Sequence, residues 1–391
     1  MSEKAFSSSG NQMVADAIRQ VDPDVMAAYP ITPQTTIVET YAQFVADGKV
    51  HTEFVCVESE HSALSACIGA SAAGARVATA TASQGLALMW EELYIAAGMR
   101  TPIVMANANR ALSAPINIHG DHSDVMGCRD AGWIIFFAET AQEAYDNTII
   151  SFKVGEDPRV LLPVLTTLDG FVTTHTVERC ELVDDDLVKA FVGEYNALYP
   201  LLDTDRPVSQ GMFASLGDTY MKCKKAQHNA INASAAVIDE HGGAWAQISG
   251  RPFAQVDCWE IEDADYLVVV LGSAAGNARY VARQLRAQGK KVGVVRPRVF
   301  RPFPAPQLVE ACKNAKAIAV LDRSDVLGGQ YPPLATEVMT AFFDTGLSLP
   351  VSSYVCGLGG ADITTDQMNQ VFSELEEGLN RKATTYLGFE G

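Results

Sequence analysis

Short apolar runs alternate with longer segments of helical character along this 391-residue chain, and that alternation limits its fold more than any single motif does. Phe54 to Val57, Val77 to Ala82, Ile103 to Ala106, Trp133 to Ala138 and Val160 to Leu165 are short apolar runs, each the length of one strand. Strand, helix, strand repetition places successive strands parallel and covers both faces of the sheet with helices. The spacing therefore predicts an α/β, doubly wound architecture.

The intervening segments read as helices. Thr35 to Asp47 puts Ile37, Val38, Tyr41, Phe44 and Val45 on one face and stops at Gly48, whose freedom at positive φ suits a left-handed cap. Ser83 to Gly98 is apolar nearly all round, as expected of a helix that meets another subunit or domain. Thr140-Ala141-Gln142-Glu143 has the capping-box pattern and opens a helix to about Val154. Between about Asp184 and Gly243 the apolar repeats thin out into a connecting excursion. A second alternating series follows, with strands at Leu267 to Leu271, Val292 to Val295, Ala317 to Leu321 and Val351 to Val355. We divide the chain into residues 1–240, which include the excursion, and a smaller α/β domain at 241–391.

Charge and cysteine usage narrow the function. With 29 basic and 47 acidic residues the formal net charge is −18, which disfavours nucleic acid and anionic membranes, since both are held by clustered Lys and Arg. No apolar run is long enough to span a bilayer, and Met1-Ser2-Glu3-Lys4 lacks the apolar core of a secretory signal, so the cytoplasm is expected. The eight cysteines contain no Cys-x-x-Cys pair and read as buried free thiols. Any iron–sulfur cluster serving this chain is expected on another chain.

In open parallel sheets, ligands sit beyond the carboxyl ends of the strands. Thr32, Glu60, Ser83-Gln84 and Arg110 all fall where an apolar run breaks into polar residues, so they are expected to share one crevice. Glu60 precedes an Ala-rich helix. It is either a helix-entry acid favoured by the dipole or a buried carboxylate that shares a proton with a heterocyclic nitrogen, with Glu58 as its rival. Arg110 is suited to bidentate recognition of a carboxylate, the alternative being a solvated side chain. Thr32 lies between two prolines, Pro30 and Pro33, that fix the backbone, which either aims its hydroxyl at a ligand or makes a Pro-bounded turn with no ligand.

The loop Ala111 to Asp130 carries His119-Gly120-Asp121-His122-Ser123-Asp124, whose side-chain types ligate zinc or iron. A loop covering the substrate or contacting a subunit fits the spacing better. Gly272-Ser273-Ala274-Ala275-Gly276 follows a strand like a phosphate turn but lacks the Gly-x-Gly-x-x-Gly spacing. Tight packing accounts for it and for Gly357-Leu358-Gly359-Gly360, with Thr364 and Gln367 forming a capping box beyond.

Four segments, Tyr-Pro-Ile-Thr-Pro-Gln-Thr at 29 to 35, Glu-Ser-Glu-His at 58 to 61, Thr-Ala-Ser-Gln-Gly at 81 to 85 and Asn-Arg-Ala-Leu-Ser-Ala-Pro-Ile-Asn-Ile at 109 to 118, resemble the 2-oxoacid:ferredoxin oxidoreductase family. The likeness continues through Arg301-Pro302-Phe303-Pro304 and Gly357-Leu358-Gly359-Gly360 and is nearest to the alpha subunits that act on pyruvate. It implies a pyrimidine-type thiamine-diphosphate-binding domain followed by a transketolase-C-terminal-like domain. It also implies oxidative decarboxylation, with electrons passing to iron–sulfur clusters and the acyl group to coenzyme A. Glu60 matches the cofactor-activating glutamate, and Pro30, Ile31 and Gln84 lie at the cofactor. Arg110 and Thr32 match the residues that hold the substrate carboxylate and oxygen atoms.

This chain has no Gly-Asp-Gly triplet. The resemblance therefore places the diphosphate, Mg²⁺ and a cluster on a beta subunit, further [4Fe-4S] clusters on a ferredoxin-like delta chain, and a gamma chain in the same assembly, with ferredoxin as acceptor. Pyruvate is the leading substrate. A bulkier acid such as 2-oxoisovalerate or phenylglyoxylate is the alternative, and a non-catalytic scaffold subunit is the rival of a different class.

Overall fold

The computed structural model describes residues 5–379 and 384–389, so the Met1 to Lys4 segment lies outside the described residues. Six parallel strands form the larger sheet, in the order Ile134–Ala138, Val164–Asp169, Ile103–Asn109, Val77–Thr81, Val25–Ala28, Glu53–Cys56. Ile103–Asn109 is buried along its whole length, as a central strand covered on both faces must be. The second sheet runs Thr385–Tyr386, Val351–Val355, Ala317–Asp322, Tyr266–Val270, Val292–Pro297, Val256–Trp259, with the last strand antiparallel. Helices cover both sheets. A short ladder of Ala5–Ser8 with Glu178–Glu181 stands apart.

The chain returns once from the second sheet to the first. Val299–Arg301 pairs antiparallel with Ile134–Ala138 and becomes the seventh strand of the larger sheet. Just before it, Arg296 and Arg298 are buried and reach into the first domain, Arg296 gripping Glu143 at 2.7 and 3.0 Å and Arg298 donating to Asn147 at 2.7 Å. This stitch fixes the two domains as one packed unit.

Several sequence expectations shift. The strand placed at Val160 to Leu165 is Val164–Asp169, because the chain first turns through Leu161 at φ 44°. The helix expected over Ser83 to Gly98 is two, Ser83–Leu88 and Trp90–Met99, and it is not buried all round: Leu88, Trp90 and Ile95 are 50%, 46% and 45% exposed. A division at 240 falls inside the 31-residue helix Thr219–Ser249. Beyond that point Trp245 still donates to Asp146 at 2.7 Å and His241 still meets Asp157 at 3.0 Å, so the end of this helix is held against the helix Ala141–Gly155 and the turn after it.

The cysteines are all unpaired, but Cys56, Cys223 and Cys258 are exposed rather than buried. No helix among the described residues is long and apolar enough to cross a membrane.

Candidate active site

The larger sheet's strand order reverses between Val25–Ala28 and Val77–Thr81, and loops on either side of such a switch diverge to leave a crevice at the carboxyl ends. The turn Pro30 to Pro33 lies on one side. It is pinned by fully buried Gln34, whose amide donates to Ala80 O at 2.7 Å and accepts from Ile31 N, while Asn11 donates to Pro33 O at 2.7 Å. Pro30 and Thr32 are thereby left exposed at the rim.

Glu60 is the first residue of the helix Glu60–Ala73, entered through Ser59, whose hydroxyl accepts from Ser62 N at 3.1 Å. The strand ends at Cys56, so Glu58 and Glu60 do not alternate on one ladder. Glu58 is exposed and accepts a hydrogen bond from Ser62 at 2.7 Å. Glu60 is only 7% exposed, and its carboxylate makes no hydrogen bond or ion pair with any described residue. A buried acid without a partner is costly, and such a cost is kept where a ligand supplies the partner.

The wall facing that carboxylate is Gly85. A methyl group there would stand 2.8 Å from Glu60 Oε1 and 2.5 Å from the Thr81 hydroxyl. That hydroxyl is itself buried without a partner. A buried hydroxyl without a partner, a carboxylate with no described partner and a bare backbone therefore meet at one point, which suits a polar heterocycle edge-on. Gly85→Ala should improve the helix by roughly 1 kcal/mol yet displace Glu60, lowering turnover of the assembled enzyme roughly 10- to 100-fold. Thermal melting and steady-state assays on the same preparation separate the two effects.

Arg110 follows the strand Ile103–Asn109 and is 7% exposed, with no carboxylate partner among the described residues. Its Nε donates to Asn117 O at 3.1 Å and one terminal nitrogen donates to Thr32 O at 2.9 Å. Three of its five N–H groups are left, enough for a bidentate grip on an anion. Thr32 is thus joined to Arg110 through its carbonyl, with its hydroxyl left at the rim. Gln84 donates to Ser113 at 2.9 Å, and Ser83 to Ala111 O at 2.7 Å, so the loop after Val77–Thr81 is tied to the loop after Ile103–Asn109. Arg110 and Thr32 are joined directly, Gln84 is tied to the loop that follows Arg110, and Glu60 faces Gly85 next to Gln84. A cavity of about 500 Å³ lined by Arg100, Tyr195 and Tyr199 contains none of them.

Asp124 organises that edge, a role the sequence does not reveal. Its buried carboxylate accepts from Ser83 N at 3.0 Å, Arg110 N at 3.1 Å and the Asn107 amide at 3.0 Å. Burial pushes its carboxyl up to about 6, against the pull of these N–H groups. Ser83 sits at φ 49°, a conformation that the Asp124 contact holds in place. The metal reading of His119 to Asp124 fails on geometry: His119 meets Asn117, His122 meets Asp169, Asp121 caps Ser123, and no group among the described residues could hold a metal ion.

The turn Gly272-Ser273 does cradle an anion, but a protein one. Asp169, register partner of Asn109, accepts from Ser273 N at 2.9 Å and Ser273 Oγ at 2.5 Å, from Arg323 at 2.9 Å, and meets His122 Nε2 at 2.7 Å. Left to burial its carboxyl would rise, but Arg323 and His122 outweigh this and hold it well below the usual carboxylate range.

Residues 16–242 match the family model described as pyruvate flavodoxin/ferredoxin oxidoreductase, thiamine-diphosphate-binding, and residues 264–368 match pyruvate:ferredoxin oxidoreductase core domain II. The chain is 48% identical over 381 residues to the pyruvate synthase subunit PorA of Thermotoga maritima, covering 97% of each chain, and 45% identical to that of Methanocaldococcus jannaschii, covering 98% of this chain and 97% of the relative. It is 40% identical to the ketoisovalerate oxidoreductase subunit VorA of Pyrococcus horikoshii, over 94% of this chain and 93% of that one.

Its fold is similar to the 2-oxoglutarate:ferredoxin oxidoreductase of Magnetococcus marinus, solved with 2-oxoglutarate, coenzyme A and succinyl-CoA bound, at TM-score 0.76 and 19% identity. The match covers 95% of this chain and 65% of that one. A split-gene transketolase matches at TM-score 0.57 and 12% identity, over 96% and 99% of the two chains. Two family models that together span most of the chain, and relatives 40–48% identical over nearly its whole length, agree: the chain belongs to the pyruvate flavodoxin/ferredoxin oxidoreductase family.

Proposed function

We propose that this chain is the alpha-type subunit of a cytoplasmic thiamine-diphosphate-dependent 2-oxoacid oxidoreductase. The complex oxidatively decarboxylates pyruvate to acetyl-CoA and CO₂ and passes electrons to ferredoxin. The observation that carries this is the Glu60 carboxylate, buried and without a protein partner beside Gly85 and Thr81. Thiamine diphosphate, when bound, supplies the centre that stabilises the electron pair released on decarboxylation.

The chain's own residues do the rest on this rim. Glu60 would share a proton with a ring nitrogen of the bound cofactor's pyrimidine, and Pro30, Ile31 and Gln84 would border that ring. Arg110 takes the substrate carboxylate with its remaining N–H groups, and the Thr32 hydroxyl faces a substrate oxygen. The exposed Leu88, Trp90 and Ile95, on the helices after Gly85, form an apolar face for a neighbouring subunit that closes the site from outside. We assign the diphosphate, Mg²⁺ and a cluster to a beta chain, and further [4Fe-4S] clusters to a ferredoxin-like delta chain in an assembly that includes a gamma chain. This sequence supplies neither a Gly-Asp-Gly triplet nor paired cysteines for them.

The test is ferredoxin reduction by the reconstituted complex with coenzyme A and each of pyruvate, 2-oxoisovalerate and phenylglyoxylate. The highest kcat/KM is expected for pyruvate, and a higher value for either bulky acid would replace it as substrate. Arg110→Ala should raise KM for pyruvate roughly 10- to 100-fold, the loss of a charge-assisted pair, while bound thiamine diphosphate stays constant.

A further inference from the structure

The stretch Ser113 to Ile118 is exposed except for half-buried Asn117, yet it carries the carbonyl on which the Arg110 Nε rests. A guanidinium aimed by a carbonyl in an otherwise solvated loop is only as fixed as that loop. Gln84 holds its start at Ser113, and what holds it at Asn117 comes from the second domain. The Asn117 amide donates to Gly359 O at 2.8 Å, and Gly359 N donates to Asp121 Oδ2 at 3.0 Å. The Asn117 side-chain oxygen meanwhile accepts from His119 N at 2.8 Å, so both ends of one amide are engaged.

The turn that approaches is shaped for the purpose. Gly359 and Gly360 lie at φ 58° and 78°, and a methyl group on them would stand 2.4 Å from Asn117 Nδ2 and 2.3 Å from His119 Cβ. Only a backbone without side chains reaches this loop in this conformation.

We infer that Asn117 is a positioning residue through which the Gly357 to Gly360 turn of the second domain sets the Arg110 guanidinium for the substrate carboxylate. The path is continuous: Gly359 O to Asn117, Asn117 O to Arg110, Arg110 to Thr32 O. The second domain, which contributes no group to the chemistry, thereby acts on substrate affinity. This rests on the reading that Arg110 takes the carboxylate.

Asn117→Asp isolates the effect. Its carboxylate still accepts from His119 N but cannot donate to Gly359 O. In the reconstituted complex, KM for pyruvate should rise on the order of 10-fold, as for one lost hydrogen bond to a charged network, with kcat changed less than about 2-fold and thiamine diphosphate content unchanged. Asn117→Ala serves as the second variant should the aspartate perturb folding, with the same expectation. The decisive measurement is the double variant with Arg110→Ala: its KM should equal that of Arg110→Ala alone, because the two changes act on one group.

An unchanged KM in both Asn117 variants, or a rise that multiplies with that of Arg110→Ala, overturns the inference while leaving Arg110 in its role. Should Arg110→Ala itself leave KM unchanged, the carboxylate reading fails, and this inference with it.

Discussion

Glu60→Gln in the assembled complex is expected to lower pyruvate-dependent turnover by roughly 10²- to 10⁴-fold, the range for removal of a positioned proton-transfer group. The variant keeps the shape of the side chain and one acceptor oxygen, removes the negative charge and puts an amide donor in place of the second oxygen. Because Glu60 makes no hydrogen bond or ion pair with any described residue, no such contact is lost with it. Stability of the chain should therefore not fall. It should rise, on the order of 1 kcal/mol, since a buried unpaired carboxylate is replaced by a neutral amide of equal volume.

Activity and stability moving in opposite directions distinguish a functional acid from a helix-entry acid. For the latter, loss of the favourable interaction with the helix N-terminus costs about 0.3–1 kcal/mol and leaves turnover alone. Denaturation midpoints and turnover measured on one preparation decide between them. Unchanged turnover would return the chain to the role of a scaffold subunit.

The sequence was legible where local chemistry decides structure. Gly48 at φ 67° after the helix Thr35–Ala46, and the Thr364 and Gln367 capping box, follow from a few neighbouring residues and stand in the structure as read. The Thr140 box is only half present. Thr140 caps Glu143 N at 3.2 Å, but the Glu143 carboxylate accepts from Glu139 N and holds Arg296, a partner 153 residues away that no local pattern announces.

Val164–Asp169 was hidden for a related reason. Thr166, Thr167 and Asp169 are buried polar residues in a central strand, so an apolarity search slides toward Val160 and stops short. Period and topology suffice to propose Thr32, Glu60, Gln84 and Arg110 as neighbours at the strand ends. What fixes those residues was not legible. Asp124, Asn117 and Asp169 act through partners on other loops, and a glycine such as Gly85 shows its purpose only when the atoms opposite it are known.

The same long-range logic predicts the largest stability effect in the chain. Arg323→Met leaves the Asp169 carboxylate, 1% exposed, without its main counter-charge, and truncating one partner of a buried ion pair costs about 3–5 kcal/mol. The variant also loses the bond from Arg323 to Gly120 O at 3.0 Å, so the loop leading back to Asn117 and Arg110 is loosened together with the domain interface. Adding Asp169→Asn should recover much of the loss, because the uncompensated charge rather than the missing contact dominates it.

The pH dependence carries a definite sign. In the natural chain the Asp169 carboxyl is held below its unfolded value of 3.8, so its contribution is present above about pH 4 and disappears as pH falls below that. In Arg323→Met the largest opposing charge is gone while His122 and Ser273 remain, so the carboxyl moves up from where the natural chain holds it and the variant takes up a proton at a higher pH. The gap between the two chains should then be widest near pH 7 and shrink toward pH 4. Urea denaturation of both full-length chains across that range measures it, and a gap independent of pH would mean that Asp169 is not the charge Arg323 neutralises.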